Sequence, residues 1–130
     1  MSLNIRVITP DRIVWDADAE EVILPSSTGQ LGILKDHAPL LTALDIGVMR
    51  LKTEGNWTSI ILVEGFAEVE KNNVTVLCSA AEEANNIDLS QAQMELEKAT
   101  LAIDQATTKK EKIEATIGLR KAKARVQAVS

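Results

Sequence analysis

Aromatic side chains are almost missing from this sequence of 130 residues, which has two tryptophans, one phenylalanine and no tyrosine. Proteins that bind single-stranded nucleic acid usually stack successive bases on aromatic rings, and three rings cannot supply such a platform. The net charge of −5 points the same way, because binding to phosphates requires an excess of Lys and Arg. We therefore expect no nucleic-acid partner.

Cysteine and histidine occur once each, as Cys78 and His37. A single cysteine cannot form an internal disulfide, and these two residues alone cannot complete a zinc site. Cys78 lies in an apolar stretch, so we interpret it as a small buried hydrophobic residue. Neither a metal nor a cofactor is expected.

Long apolar runs are also missing. No stretch approaches the roughly 18 uncharged residues that a membrane-spanning helix needs. Residues 1–9 lack the apolar segment of a secretory signal. Any contact with a membrane is therefore expected to be peripheral and to occur through a partner protein.

Catalytic motifs are not found either. Ser26, Ser27 and His37 are close in sequence, but no nucleophile elbow or spaced triad surrounds them. Residues 28–32 lack the Lys-Ser/Thr of a phosphate loop, so we interpret them as a hairpin turn. Three pairs of glutamates are predicted to be solvent-exposed strand edges, namely Glu20 and Glu21, Glu68 and Glu70, and Glu82 and Glu83. The sequence thus predicts a protein that is not an enzyme.

Alternating apolar residues mark the first two thirds of the chain. Leu3, Ile5 and Val7 alternate with polar residues, as in a strand with one buried face. Similar patterns occupy residues 21–24, 47–52, 57–63, 66–69 and 74–77, and turn signals recur between them. Residues 1–84 are therefore predicted to form an antiparallel β-sandwich.

The hydrophobic period then changes to that of a helix. One apolar seam runs through Leu89, Ala92, Leu96, Ala99 and Ile103, and another through Ala115, Leu119, Ala122, Val126 and Val129. Asp88 and Thr108 are predicted N-caps, with Gln91 and Glu111 as their capping-box partners. Residues 85–130 are thus expected to form an antiparallel two-helix hairpin, which makes the chain an α+β protein.

The second predicted helix has another apolar stripe, formed by Ile113, Ile117, Ala124 and Ala128, on nearly the opposite face. One stripe can pack on the partner helix, so the other needs a second surface. Because both seams are rich in alanine, little packing energy is available to hold the hairpin. The sequence favours a hairpin that can detach and dock again, although a static hairpin on the sandwich also fits the pattern.

Charge is divided between the two parts. Residues 1–84 carry six basic and thirteen acidic side chains, whereas residues 105–130 carry seven basic and two acidic ones. An acidic front and a basic tail indicate two modules with different neighbours.

Several blocks of residues together resemble the epsilon subunit of F-type ATP synthases. They are GQLGIL with HAPLLT (29–34, 37–42), GFAEV with VTVL (65–69, 74–77), and Ile87-Asp88 with Ala92 and LRKAKARV (119–126). NIRVITPDRIVW (4–15) and TTKKEKIEA (107–115) are most similar to the cyanobacterial and chloroplast branch. Lys35-Asp36 departs from the Pro-Gly or Pro-Asn of many members.

This resemblance implies a non-catalytic rotor subunit of the central stalk, bound to the gamma subunit and to the polar loops of the c-ring. The signature loop, here Gln30, Leu31, Gly32 and His37, would face the ring. A histidine that bonds its own backbone is the structural alternative for His37. The resemblance also implies a peripheral protein of the thylakoid membrane, on its stromal or cytoplasmic side.

The helical tail resembles a regulatory element that extends transiently toward the alpha–beta catalytic head and restrains ATP hydrolysis. Its basic residues Arg120, Lys121, Lys123 and Arg125 would contact acidic surfaces there. Some bacterial relatives bind ATP through Ile-Asp-x-x-Arg-Ala. Asp88 and Ala92 match that motif, but Gln91 replaces its arginine, which weakens phosphate binding.

One alternative comes from a different functional class. A free-standing β-sandwich that binds a small ligand and dimerises through its helical tail is compatible with the same composition and periodicity.

Overall fold

The computed structural model describes residues 2–130, and within them eight strands precede two α-helices. The strands are β1 (Leu3–Ile8), β2 (Ile13–Ala19), β3 (Glu21–Ser26), β4 (Gly29–Leu34), β5 (Leu40–Leu44), β6 (Gly47–Thr53), β7 (Asn56–Glu70) and β8 (Asn73–Glu83). The helices are α1 (Leu89–Gln105) and α2 (Lys109–Val129), and a single 3₁₀ turn (Ala84–Asn86) connects β8 to them.

The strands form the two layers of a sandwich. One layer contains β2, β1, the first part of β8, the second part of β7, and β5. The other contains β4, β3, β6, the first part of β7 and the end of β8. All neighbouring strands are antiparallel except β1 and β8, which run parallel. The long strands β7 and β8 belong to both layers.

The core lies between the layers, and the side chains that fill it show where β7 and β8 cross over. In β7 the side chains that face the core are first Ile60 and Leu62 and then Ala67 and Val69. The core-facing positions therefore change from even-numbered to odd-numbered residues between residues 62 and 67. Since alternate residues of a strand face opposite sides, this change means that the second part of β7 turns the opposite face to the core. In β8 the core-facing positions change in the same place. Val76, which pairs with Ala67, faces the core, and so does Ala81, which pairs with Leu62.

Gly65 lies at this crossing, opposite Cys78. A Cβ atom at residue 65 would lie 2.0 Å from the carbonyl oxygen of Leu77 and 2.7 Å from the Cα of Cys78. No side chain fits at those distances, so only glycine allows the two strands to approach as they pass from one layer to the other.

Each helix begins at a capping residue. The Asp88 carboxylate accepts a hydrogen bond from the Ser90 amide at 3.3 Å, and the Thr108 hydroxyl accepts one from the Glu111 amide at 3.1 Å. Glu111 in turn accepts a bond from the amide of Thr107 at 3.1 Å, which lowers the pKa of its carboxyl group. The two caps are confirmed, whereas the hydrogen bonds of residues 2–130 include none from Gln91 to residue 88.

The hairpin packs on the sandwich through α2. Ala124, with Ala128 beside it, lies against Val48 of β6 and Ile61 of β7, on the outer side of the layer that contains β6. The predicted second stripe of α2 is therefore confirmed at its C-terminal end. Its N-terminal members Ile113 and Ile117 are exposed instead, because they lie beyond the part of α2 that reaches the sheet.

The predicted fold class, an antiparallel sandwich followed by a two-helix hairpin, is confirmed, but three strands were missed. Residues 29–32 belong to β4 rather than to a turn, since the turn is formed by Ser27 and Thr28. Gly29 and Gly32 are residues typical of turns, so the sequence pattern of β4 does not indicate a strand. β2 and β5 are edge or half-exposed strands whose burial pattern is irregular, so no clear alternation marked them.

Substituting alanine for Gly65 tests the crossing. We expect Gly65→Ala to lower the free energy of unfolding by about 3 kcal/mol, because the new methyl group meets backbone atoms that cannot rotate away. Urea unfolding followed by circular dichroism measures this change. Gly32→Ala is the matched control, since a Cβ atom there meets nothing within 4 Å. Equal stability of the two variants would contradict the close crossing.

Candidate docking surfaces

The predicted docking residues fall into two groups. Gln30, Leu31 and Gly32 lie within β4, paired with residues 23–25 of β3, whereas His37 lies in the loop that follows this strand. From Gln30 to the end of β4 at Leu34 the chain is extended, and the four residue-to-residue steps span roughly 13 Å. The structure therefore does not bring Gln30 and His37 together in one loop.

His37 is half-buried and bonds to its own loop. Its Nδ1 atom lies 2.7 Å from the carbonyl oxygen of Ala38, and its amide donates to the carbonyl of Leu34 at 3.2 Å. A carbonyl oxygen can only accept, so Nδ1 carries the proton. In the neutral ring, Nε2 is then an acceptor that a partner's N–H or O–H group can use.

The loop that holds His37 is fastened to the turn between β7 and β8. Asp36 adopts a positive φ of 64°, and its amide donates to the side-chain oxygen of Asn72 at 2.6 Å. The Asn72 amide group donates back to the carboxylate of Asp36 at 3.2 Å. The Asn72 carbonyl also accepts from the amide of Asn4, at the start of β1. Three segments thus form one rigid end of the sandwich.

A patch of large apolar side chains covers the outer side of the layer that contains β5. Leu41 is 70% exposed, Phe66 58% and Leu77 53%. Phe66 pairs directly with Leu77 on the neighbouring strand, and Leu41 lies on the other neighbour of β7. The three side chains, together with Glu68 and Thr75, border a depression of about 130 Å³. We call Leu41, Phe66 and Leu77 the outer patch; an exposed apolar cluster of this kind marks an interaction surface.

The alternation of residues in β7 and β8 carries a signal for the outer patch. In residues 66–69, Ala67 and Val69 are buried, so Phe66 must point outward. The same reasoning applies to β8, in which Val74 and Val76 face the core and Leu77 does not. What the sequence could not show was that the two outward residues lie side by side.

The predicted basic contacts of α2 differ in their surroundings. Arg120 lies 3.6 Å from the carboxylate of Asp45. Arg125 forms ion pairs with Glu82 of β8 and Glu95 of α1. Lys121 and Lys123 are exposed, and within residues 2–130 neither forms an ion pair. Glu82 is half-buried under α2, so the prediction of a freely solvated edge is wrong for this glutamate.

The residues of the expected nucleotide motif have structural roles in the hairpin. The carboxylate of Asp88 caps α1, and Ala92 is buried, with 1% of its surface exposed. Gln91 supplies no positive charge, and Arg125 of α2 is already paired with two carboxylates. Binding of ATP through Asp88 and Ala92 stays a prediction.

Potential catalytic and metal-binding groups do not converge. The buried hydroxyl of Ser26 contacts the hydroxyls of Thr28 and Thr42, at the opposite end of β4 from His37. Cys78 is buried, as predicted, and burial raises the pKa of its thiol. Residues 2–130 contain no cluster of His, Cys, Asp or Glu that could hold a metal ion. None of the helices described could cross a bilayer.

Comparison with known proteins assigns the family. Residues 2–84 match the family model described as the β-sandwich domain of the ATP synthase delta/epsilon chain. Residues 85–130 match the long α-helix domain of the same chain. This chain belongs to the ATP synthase delta/epsilon chain family. The predicted resemblance is thereby confirmed.

The relatives are similar over their whole length. The chain is 77% identical to the chloroplastic ATP synthase epsilon chain of Emiliania huxleyi, with 100% of both chains covered. It is 55% identical to the ATP synthase epsilon chain of the cyanobacterium Thermosynechococcus vestitus, over 98% of this chain and 95% of the relative.

Solved structures share the fold. A chain of the Euglena gracilis mitochondrial ATP synthase, solved with OSCP, F1 and the c-ring, superposes with a TM-score of 0.87 at 19% identity. The match covers 99% of this chain and 82% of that one. A chain from the central stalk and c-ring of the Tetrahymena thermophila mitochondrial enzyme gives a TM-score of 0.64 at 12% identity, with 100% and 98% covered.

The contact between the His37 loop and the β7–β8 turn can be tested by mutation. We expect Asn72→Gly, which retains access to positive φ, to lower the free energy of unfolding by about 1–2 kcal/mol through loss of the two bonds with Asp36. Amide hydrogen exchange in residues 35–38 should also become faster. In the control Asn73→Gly, only a bond of 3.4 Å within the turn is lost, so these amides should keep their protection.

Proposed function

We propose that the chain is a non-catalytic subunit of the central stalk of an F-type ATP synthase. In this role the sandwich joins the gamma subunit to the c-ring, and the helical hairpin restrains ATP hydrolysis. Support comes from relatives that are named ATP synthase epsilon chains and align with it over 95% or more of their length.

The single observation that carries the docking role is the outer patch. Leu41, Phe66 and Leu77 lie on strands that pair with one another, so the patch is rigid before any partner arrives. The c-ring presents polar loops, whereas an apolar patch needs an apolar partner surface. We therefore assign the outer patch to gamma. Gln30 and His37, with their free polar atoms, are assigned to the ring.

The location follows from the partners. Several of the relatives are chloroplastic, so the proposed complex resides in the thylakoid membrane, with this subunit bound to it peripherally on the stromal or cytoplasmic side. Contact with the membrane occurs through the c-ring and gamma.

The hairpin is proposed to act on the alpha–beta catalytic head when it leaves the sandwich. Its docked position uses mostly alanines, and Arg120 and Arg125 are engaged with acidic residues of the same chain. Lys121 and Lys123 face solvent in this state. Once the helices extend, all four basic residues become available to acidic surfaces of the head.

Changing the outer patch should disrupt binding to gamma. We expect Phe66→Asp to weaken binding of the isolated subunit to recombinant gamma at least about tenfold, because an exposed aromatic side chain that the interface would bury is replaced by a charge that must be desolvated. Titration calorimetry measures the affinity. Ile13→Asp is the matched control, since Ile13 is exposed to a similar degree but lies on edge strand β2. Equal loss in both variants would argue against the outer patch.

Removing the hairpin should relieve the restraint on hydrolysis. We expect deletion of residues 88–130 to raise the ATPase rate of the reconstituted complex about fivefold or more, with the complex still assembled. Lys121→Glu with Lys123→Glu should raise it in part, since these lysines form no ion pairs in the docked hairpin. An unchanged rate after the deletion would contradict the regulatory role.

The alternative, a free-standing ligand-binding sandwich that dimerises through its helices, predicts different behaviour in solution. Size-exclusion chromatography with light scattering separates the two. A monomer that binds gamma supports the proposed role, and a homodimer indifferent to gamma supports the alternative.

A further inference from the structure

Arg125 is the one side chain that joins the sandwich, α1 and α2 through ion pairs in the described part of the chain. Its Nη2 donates to Glu82 Oε1 of β8 at 3.2 Å, and its Nε lies 3.2 Å from Oε2 of the same carboxylate. Its Nη1 donates to Glu95 of α1. The Arg125 side chain is only 27% exposed. The Nε–H group is not aligned for a hydrogen bond, so the guanidinium bonds each of the two carboxylates through one Nη atom. Half-buried, charge-assisted bonds to two carboxylates are stronger than an exposed surface ion pair.

Apart from Arg125, the interface between the hairpin and the sandwich contains few apolar side chains, and most of those on the helical side are small. Val48 and Ile61 supply the sheet side, α2 supplies Ala124 and Ala128, and Ala84 and Ile87 of the segment that joins β8 to α1 pack against the same cluster. An alanine buries one methyl group, so each contributes little transfer free energy. Because α1 rests on α2 rather than on the strands, it adds few contacts of its own with the sandwich. A large share of the specificity of docking therefore depends on Arg125.

A second ion pair between α2 and the sandwich provides a contrast. Arg120 and Asp45 approach to 3.6 Å, but both side chains are nearly half exposed, at 46% and 49%. Exposed single contacts of this type contribute about 0–1 kcal/mol. The two carboxylates are exposed to a similar degree, but Arg125 is more buried than Arg120, and it forms a hydrogen bond to its sandwich carboxylate and a further bond to α1.

We propose that Arg125 is the latch of the hairpin: its contact with Glu82 sets how often the hairpin leaves the sandwich. The consequence for hydrolysis rests on the proposed function, whereas the latch itself is a property of the isolated chain. The guanidinium cannot hold Glu82 and an external acidic surface at the same time. Docking and action elsewhere therefore compete for the same cation.

Trp57 provides a reporter for the latch. It lines a cleft together with Ala128 and Val129 at the end of α2, so its surroundings change when the hairpin leaves. Trp15 is replaced by phenylalanine to leave one fluorophore, and hydrogen exchange of the α2 amides gives the opening equilibrium independently.

In this background we expect Glu82→Gln to raise the undocked population about tenfold, since it removes the charge partner but keeps the size of the side chain. Asp45→Asn, the matched control on the other ion pair, should change it less than twofold. Amides of β1 should keep their protection in both variants, which shows that the sandwich is folded. Equal effects of Glu82→Gln and Asp45→Asn would overturn the latch.

The assembled complex then separates the latch from the regulatory role. Glu82→Gln should lower the ATPase rate, because the hairpin is released with Arg125 intact, whereas Arg125→Ala should release it without that gain in inhibition. If Glu82→Gln undocks the hairpin of the isolated chain and leaves hydrolysis unchanged, the latch stands and the proposed inhibition fails. If it does not undock the hairpin, the latch fails whatever the ATPase rate.

Discussion

The close crossing of β7 and β8 at Gly65 is the constraint on which the rest of the structure depends. Both strands serve two layers, and they can do so only because no side chain separates them where they change layers. The crossing reverses the face that each strand turns to the core. Ile61 and Glu82 consequently face outward on one layer, and Phe66 and Leu77 face outward on the other. The pair of strands β7 and β8 thus contributes to two different surfaces, the docking site of the hairpin on one layer and the outer patch on the other.

This arrangement separates the proposed anchoring surface from the proposed regulatory one. The outer patch and the docking site of the hairpin lie on the outer sides of different layers, with the core between them. A partner bound to Phe66 and Leu77 therefore has no need to displace α2, and the hairpin can leave without disturbing that partner. Two pairs of cross-strand neighbours on the same ribbon, Ile61 with Glu82 and Phe66 with Leu77, define the two surfaces.

Much of this could be predicted from sequence, since alternation and helical periodicity are local. The core of β1, the two helix caps and the C-terminal part of the second stripe of α2 followed from spacing. β4 did not, because two glycines in six residues imitate a turn. The pairing of Arg125 with Glu82 lay beyond pattern analysis as well. The two residues are 43 positions apart, and neither helical nor strand periodicity relates them.

The weak packing of the hairpin is explained when the docked hairpin is compared with the proposed undocked state. Leucines at the positions of Ala124 and Ala128 would bury more apolar area and hold the hairpin permanently. Alanines reduce that area, and a charged latch replaces part of the lost attraction with an interaction that an acidic surface can compete for. The contact of Arg125 with Glu82 is specific, but its net strength depends on which other acidic groups are available to bind the guanidinium. A partner can shift the equilibrium only if it can replace a contact that holds the hairpin. An acidic surface can replace Glu82 as the partner of Arg125, but it cannot replace apolar packing.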